Sequence, residues 1–228
     1  MNTKQNEDFN TALNIYINAY SHEDLINLLK NGSDVEKQVA ALKLDKINSE
    51  FEAEILMGNL TGCDGKIREA VSFRLKEFVF ENPKFYEKFS NIFLDAIIDI
   101  NGNICRNTLS AIQNLKDYPE FHLNFCPKLI NYTEKSIEKV NEFDIQSGKY
   151  KINKEIFKLY WYLETIFIFL DYIDKNSLSK IISQTKNINE YTIREKTAKI
   201  LSKISSDSEL LKIKEELKND PNYYVRRF

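Results

Sequence analysis

The sequence predicts an all-α protein built from repeated helical hairpins, and three observations support that prediction. Six glycines and four prolines interrupt 228 residues, which is too few for many short strands joined by tight turns. Apolar residues recur at the spacing of a helix rather than alternating as in a strand. A short apolar pattern also repeats along the chain at intervals that suit a pair of helices.

The repeated pattern places apolar residues at offsets of 0, 4, 8 and 11, which trace one face of an α-helix. Taking Glu36 as the first position of the earliest copy, the copies begin at residues 36, 67, 104, 152, 193 and 225. The clearest copies are Ile67, Val71, Leu75, Phe78; Ile104, Thr108, Ile112, Leu115; and Ile193, Thr197, Leu201, Ile204. Weaker copies are Ala40, Leu44, Ile47, and Ile152, Ile156, Tyr160, Leu163.

Partner helices are expected between the copies, each with a plausible start signal such as Ser21 or Asn82-Pro83. A capping helix at about 6–20 precedes the first hairpin, and the last repeat is partial at 220–228. The sequence therefore predicts six hairpins in a single domain over 1–228. The expected partner helices span 22–31, 50–60, 83–100, 120–143, 175–186 and 207–219.

The start of the second helix carries a motif in several copies. The motif occurs three times, as Asp64 with Ile67-Arg68-x-Ala70, as Ile193-Arg194, and as Asp220-Pro221 followed by Val225-Arg226. This motif resembles the short bacterial HEAT-like repeats related to phycobilin lyase subunits, whose second helix opens with Asp-x-x-Val-Arg. The resemblance implies a right-handed α-solenoid of about six helical hairpins. In the third copy Cys105 takes the basic position and Arg106 lies one place later.

The arginines of the second helices have two interpretations. They form a basic stripe that holds phosphates or acidic peptides, or they bond the turn acids and carbonyls of the adjacent repeat, as such ladders do in the family. The pair Arg226 and Arg227, beside Tyr223 and Tyr224, has no following repeat in this sequence to bond. These four residues are therefore candidate binding residues.

A second candidate surface lies in residues 150–173, a stretch that is apolar on two sides. Such a helix is either buried between neighbours or leaves a patch for a partner. The binding hypothesis takes the second interpretation, with lysines at the rim and aromatic anchors at the centre. The candidate residues are Trp161, Ile168, Phe169 and Tyr172, with Lys154 and Lys158.

Signals for catalysis are scarce. The sequence has no nucleotide-binding or hydrolase motif, and its two histidines, His22 and His122, lie far apart. Three cysteines in no metal-binding spacing indicate reduced thiols rather than a disulfide framework. We therefore expect no catalytic residues, metal or cofactor. The start of the sequence, which lacks an export signal, and the absence of a spanning segment predict a cytoplasmic protein that does not enter a membrane.

The leading functional prediction is a non-catalytic scaffold that binds a peptide or protein partner on its solenoid surface. A net charge of -2 argues against a surface built to neutralise phosphates. One alternative is a nucleic-acid-binding protein resembling the HEAT-like alkylpurine DNA glycosylases, with Trp161, Glu164 and Asp171 at its site. The other alternative, implied by the repeat resemblance, is a chromophore lyase or chaperone.

Overall fold

A computed structural model describes residues 3–142 and 149–228, and within these ranges the chain is helical and contains no strand. Contacts divide the chain into two compact units, Met1–Phe121 and His122–Phe228. The α-helices are α1 Thr3–Ile17, α2 His22–Asn31, α3 Asp34–Lys43, α4 Glu50–Leu60, α5 Gly65–Glu81, α6 Ser90–Ala96, α7 Gly102–Ile112, α8 Pro119–Glu142, α9 Lys149–Ile168, α10 Lys175–Thr185, α11 Tyr191–Ser202, α12 Ser208–Leu217 and α13 Tyr223–Arg226.

The first unit is arranged in hairpins whose helices also contact the helix two places along. Helix α2 packs on α3, α4 on α5 and α6 on α7. In addition α1, α3, α5 and α7 contact one another in order, and α4 contacts both α2 and α6. Ser21 and Ser33 begin α2 and α3 with reciprocal capping boxes, which satisfy free N–H groups of the first turn.

The second unit shows the same alternation. Helix α11 contacts α10 and α12, its neighbours in the chain, and also α9 and α13. The helix starts are fixed by side-chain caps, since Asp174, Glu190, Asp207 and Asn222 each accept a backbone N–H of the helix that follows. The second helices α9, α11 and α13 therefore lie side by side within this unit.

The predicted apolar register is confirmed in α5, and in α7 with the 3-10 turn Gln113–Leu115 that follows it, where all four positions of each copy are buried. In α11 the first three positions, Ile193, Thr197 and Leu201, are buried, while Ile204 is half-buried beyond the helix end. The first copy also holds, with Ala40, Leu44 and Ile47 buried.

The predicted register is wrong in α9, where the buried face begins three residues later. Ile152, Ile156 and Tyr160 are only half-buried, and of the four predicted positions Leu163 alone is buried. Because this helix is apolar on two sides, its sequence fits more than one register, and the packing decides between them. The observed buried face is Glu155, Leu159, Leu163 and Ile166.

The predicted helix 83–100 forms as two shorter pieces. Residues Pro83–Phe89 make a 3-10 helix, in which the Phe85 N–H donates to Asn82 O at 3.1 Å, and α6 then ends at Ala96. This tighter winding accompanies the complete burial of Tyr86. The other predicted partner helices agree with the structure to within two residues, and the predicted end at residue 143 lies outside the described residues.

Candidate binding site

Arg68 binds the turn before its own helix and the corresponding turn of the next hairpin. Its Nε donates to Asp99 Oδ2 at 2.6 Å, and its Nη1 donates to the carbonyls of Gly62 and Cys63 at 2.9 and 3.1 Å. The hydrogen bond to Asp99 is the main cause that raises the pKa of Arg68. The guanidinium therefore ties the turn before α5 to the turn before α7.

Arg194 repeats this arrangement in the second unit. Its Nε donates to Asp220 Oδ2 at 2.6 Å, and its Nη1 donates to the carbonyls of Ile188 and Asn189 at 2.8 and 2.7 Å. The side chains of Arg194 and Asp220 are 14% and 5% exposed. The hydrogen bond from Arg194 lowers the pKa of Asp220. These two arginines act as links between hairpins rather than as a free basic stripe.

The third copy keeps part of the link without an arginine. Cys105 donates its thiol hydrogen to Asp99 O at 3.0 Å, the carbonyl six residues back that Arg194 uses in its own repeat. Burial raises the pKa of the Cys105 thiol to about 12, so this thiol stays protonated near neutral pH. Arg106 instead donates to Asn103 Oδ1 at 2.6 Å on its own helix.

A group of lysines on α11 meets aromatic rings and one carboxylate on α9. Glu164 accepts hydrogen bonds from Lys196 and, at 2.7 Å, from Lys199. Burial works to raise the pKa of Glu164, but the two lysines outweigh it, so the pKa is lowered. Burial likewise works to lower the pKa of Lys196, and its bond to Glu164 reverses the direction. Both charges are thus held in place at the helix interface.

The ammonium groups of these lysines also lie over aromatic rings. Lys196 Nζ is 4.4 Å from the ring centre of Tyr160, and Lys199 Nζ is 4.5 Å from that of Phe167. Lys203 approaches the Phe167 ring at 5.4 Å and forms no ion pair among the described residues. Such cation–π contacts are favourable. We define the lysine–aromatic face as Tyr160, Glu164 and Phe167 of α9 with Lys196 and Lys199 of α11 and Lys203, the residue that follows α11.

The predicted aromatic patch on α9 does not form one surface. Phe169 is fully buried against Phe125, with ring centres 5.1 Å apart, so its prediction as a surface contact is wrong. Trp161 is 8% exposed and packs against Tyr160 at 5.3 Å. Its indole N–H is buried and finds no hydrogen-bond partner in the part of the chain that the structure describes. The ring of Trp161 therefore serves mainly as core.

The remaining candidates on α9 and the turn after it lie closer to solvent. Ile168 and Tyr172 are half-buried, and the Tyr172 ring stacks on His122 at 4.0 Å. Lys154 is exposed, whereas Lys158 pairs with Glu155 at 2.8 Å. Ile168 and Tyr172 are therefore partly covered, and Lys158 is held by its ion pair.

The candidates at α13 are exposed. Tyr223 and Tyr224 are 67% and 51% exposed, and the Tyr224 ring stacks on Tyr191 with a centre-to-centre distance of 6.2 Å. Arg227 pairs with Glu195 at 2.5 Å. Arg226 is exposed and bonds backbone carbonyls. The pair with Glu195 joins α13 to α11.

Comparisons with protein-family models, with curated proteins and with solved structures find no match to this chain. Membership of a HEAT-like family therefore stays a prediction. Among the described helices, none combines the length and the apolar character that crossing a membrane requires. Residues 3–142 and 149–228 contain no group of three or more His, Cys, Asp or Glu side chains that could hold a metal ion.

The substitution Glu164→Gln is expected to lower the free energy of unfolding by about 3 kcal/mol, because it leaves the buried Lys196 without a carboxylate. Urea denaturation measures the loss. The wild-type advantage is present above the ordinary glutamate pKa of about 4.3 and declines as pH falls through the lower folded pKa. Glu7→Gln, at an exposed position of α1, is the control and should change stability by less than about 0.5 kcal/mol. Equal losses for both variants would contradict the prediction.

Proposed function

We propose that this chain is a non-catalytic, cytoplasmic scaffold of stacked helical hairpins, HEAT-like in kind, which binds an acidic segment of a protein partner. Contact between alternate helices in each unit supports the stacked arrangement. The three free cysteines, two of them buried, agree with a reducing compartment.

The observation that carries the binding proposal is the lysine–aromatic face. Half-buried Phe167 presents apolar surface between the ammonium groups of Lys199 and Lys203. A partner segment that sets an apolar side chain beside a carboxylate complements both features. Within this face three cations, Lys196, Lys199 and Lys203, accompany one carboxylate, Glu164.

The glycosylase-like alternative gains no support from this site. It requires a carboxylate free to act on an extruded base. Both oxygens of Glu164 are already bonded to lysines, and Trp161 is 92% covered rather than open for stacking on a base. Asp171 is exposed, but it lies beyond the end of α9. We therefore favour a protein partner over a nucleic acid.

The proposal is tested by affinity purification from the native organism with wild-type and variant chains as bait. Lys203→Glu and Phe167→Ala should each reduce recovery of the partner. A cost of about 2 kcal/mol of binding raises the dissociation constant by about thirtyfold. Lys212→Glu, at an exposed position of α12, is the control and should capture the partner like wild type. Melting temperatures verify that all variants are folded.

Two results would overturn the proposal. One is full recovery of the partner by both folded variants, which would place binding elsewhere. The other is submicromolar binding of DNA or RNA at about 150 mM salt that weakens steeply as salt rises, which would favour the nucleic-acid alternative.

A further inference from the structure

The two Arg–Asp links share one type of turn on the carboxylate side. Asp99 Oδ1 accepts the N–H of Asn101 at 2.8 Å, and Asp220 Oδ1 accepts the N–H of Asn222 at 2.8 Å. Each asparagine then caps the next helix by accepting a backbone N–H at 2.9 Å. Arg68 and Arg194 therefore each bind an Asp-x-Asn turn that starts the next helix of the stack.

Arg226 occupies the equivalent position of α13 and makes half of the same set of bonds. Its Nη1 donates to the carbonyls of Asp220 and Pro221 at 2.7 and 3.0 Å, six and five residues back, as Arg194 does in its own repeat. Among the described residues no carboxylate lies within ion-pair distance of Arg226. The half of the guanidinium fork that binds aspartate in Arg194 has no acceptor here.

Tyr223 also lacks a contact, the ring stack that the equivalent residue Tyr191 of α11 makes. Tyr191 begins α11 and stacks on Tyr224, the second residue of the following helix. Tyr223 begins α13 in the same way and is 67% exposed. An aromatic residue two places after the capping asparagine of a partner would complete the equivalent stack. We define the α13 edge as Tyr223 and Arg226.

We propose that the α13 edge binds a helix-start turn of the form Asp-x-Asn-x-aromatic from a different protein. This inference rests on the proposed scaffold function and adds the chemistry of a partner. The aspartate accepts both free N–H groups of the Arg226 fork, a bidentate pair, and the aromatic ring stacks on Tyr223. A second folded copy of this chain is a poorer occupant, because the carboxylates of Asp99 and Asp220 are already bound by its own arginines.

The test uses a fluorescein-labelled synthetic peptide with the sequence of residues 205–228, which contains Asp220-Pro221-Asn222-Tyr223-Tyr224. Fluorescence anisotropy follows its binding to the full chain. We expect saturable binding by wild type, a loss of about tenfold with Arg226→Gln, and a similar loss when the peptide carries Asp220→Asn. Combining both changes should cost no more than about twofold beyond either alone, because the two groups form one contact.

Arg227→Gln is the matched control, since this neighbouring arginine already pairs with Glu195. It should bind the peptide within about twofold of wild type. A second measurement is the Nε–Hε NMR signal of Arg226, identified by its loss in Arg226→Gln, which should shift on titration with the unsubstituted peptide. Melting temperatures within about 2 °C of wild type confirm that the variants are folded.

The inference is overturned if wild type does not bind the peptide, if Arg226→Gln binds as well as wild type, if the two losses multiply, or if Arg227→Gln loses as much. Lys212→Glu, at an exposed position of α12 outside both surfaces, should leave peptide binding unchanged. The peptide assay with Arg226→Gln tests the α13 edge, and partner capture with Lys203→Glu and Phe167→Ala tests the lysine–aromatic face, so failure of one is distinguishable from failure of the other.

Discussion

Replacing Leu75 by alanine is expected to lower the free energy of unfolding by about 2–5 kcal/mol, and Leu201→Ala is expected to do the same. Both side chains are fully buried, Leu75 in α5 of the first unit and Leu201 in α11 of the second. Each substitution removes buried methyl groups and leaves a cavity between packed helices. Chemical denaturation of the two variants measures the loss in each unit.

The matched control for Leu75 is Phe73→Ala on the same helix, because Phe73 is a larger apolar residue that is 70% exposed. It should change stability by less than about 0.5 kcal/mol. Losses below about 1 kcal/mol for both leucine variants would show that the buried register has been assigned incorrectly.

The substitution Asp220→Asn is expected to cost about 3 kcal/mol, because it leaves the charge of Arg194 without its carboxylate in a mostly buried setting. Its control is Glu54→Gln, which breaks the exposed pair that Glu54 forms with Lys88 at 2.6 Å. Exposed pairs contribute less than about 1 kcal/mol. Equal losses for the two variants would contradict a structural role for the Arg194 link.

The pH dependence of this link follows from the lowered pKa of Asp220. A carboxylate whose folded pKa is depressed stabilises the fold above its unfolded pKa of about 3.9. That contribution disappears as pH falls through the folded pKa. The stability difference between wild type and Asp220→Asn should therefore be constant from about pH 7 to 5 and shrink below about pH 4.

The helices and most of their buried positions were predictable from the sequence, because a helix with one apolar face has one way to bury it. The copies beginning at Ile67, Ile104 and Ile193 are of this kind. Helix α9 is different, since it is apolar on two sides and buries Glu155 where the other copies bury isoleucine. Apolar periodicity finds buried positions only where they hold apolar residues, so it does not detect the buried Glu155.

The candidate site was predictable only in part. Exposure of Tyr223, Tyr224, Arg226 and Arg227 was anticipated from the repeat pattern. The bonds from Lys196 and Lys199 to Glu164 were missed because they join residues more than 30 positions apart on different helices. The pairing of α9 with α11 must be known before these charges can be placed together, and periodicity within one helix does not supply it.

The spacing of the bonds between hairpins has a consequence for how the chain folds. Arg68 reaches Asp99 across 31 residues, Arg194 reaches Asp220 across 26, and Lys199 reaches Glu164 across 35. The entropy lost on closing a loop grows with the logarithm of its length, so closing the longest of these loops costs about 0.3 kcal/mol more than closing the shortest. Loop closure therefore gives none of these three links a marked advantage as a folding nucleus. We expect folding to start at more than one of them and to spread to adjacent helices.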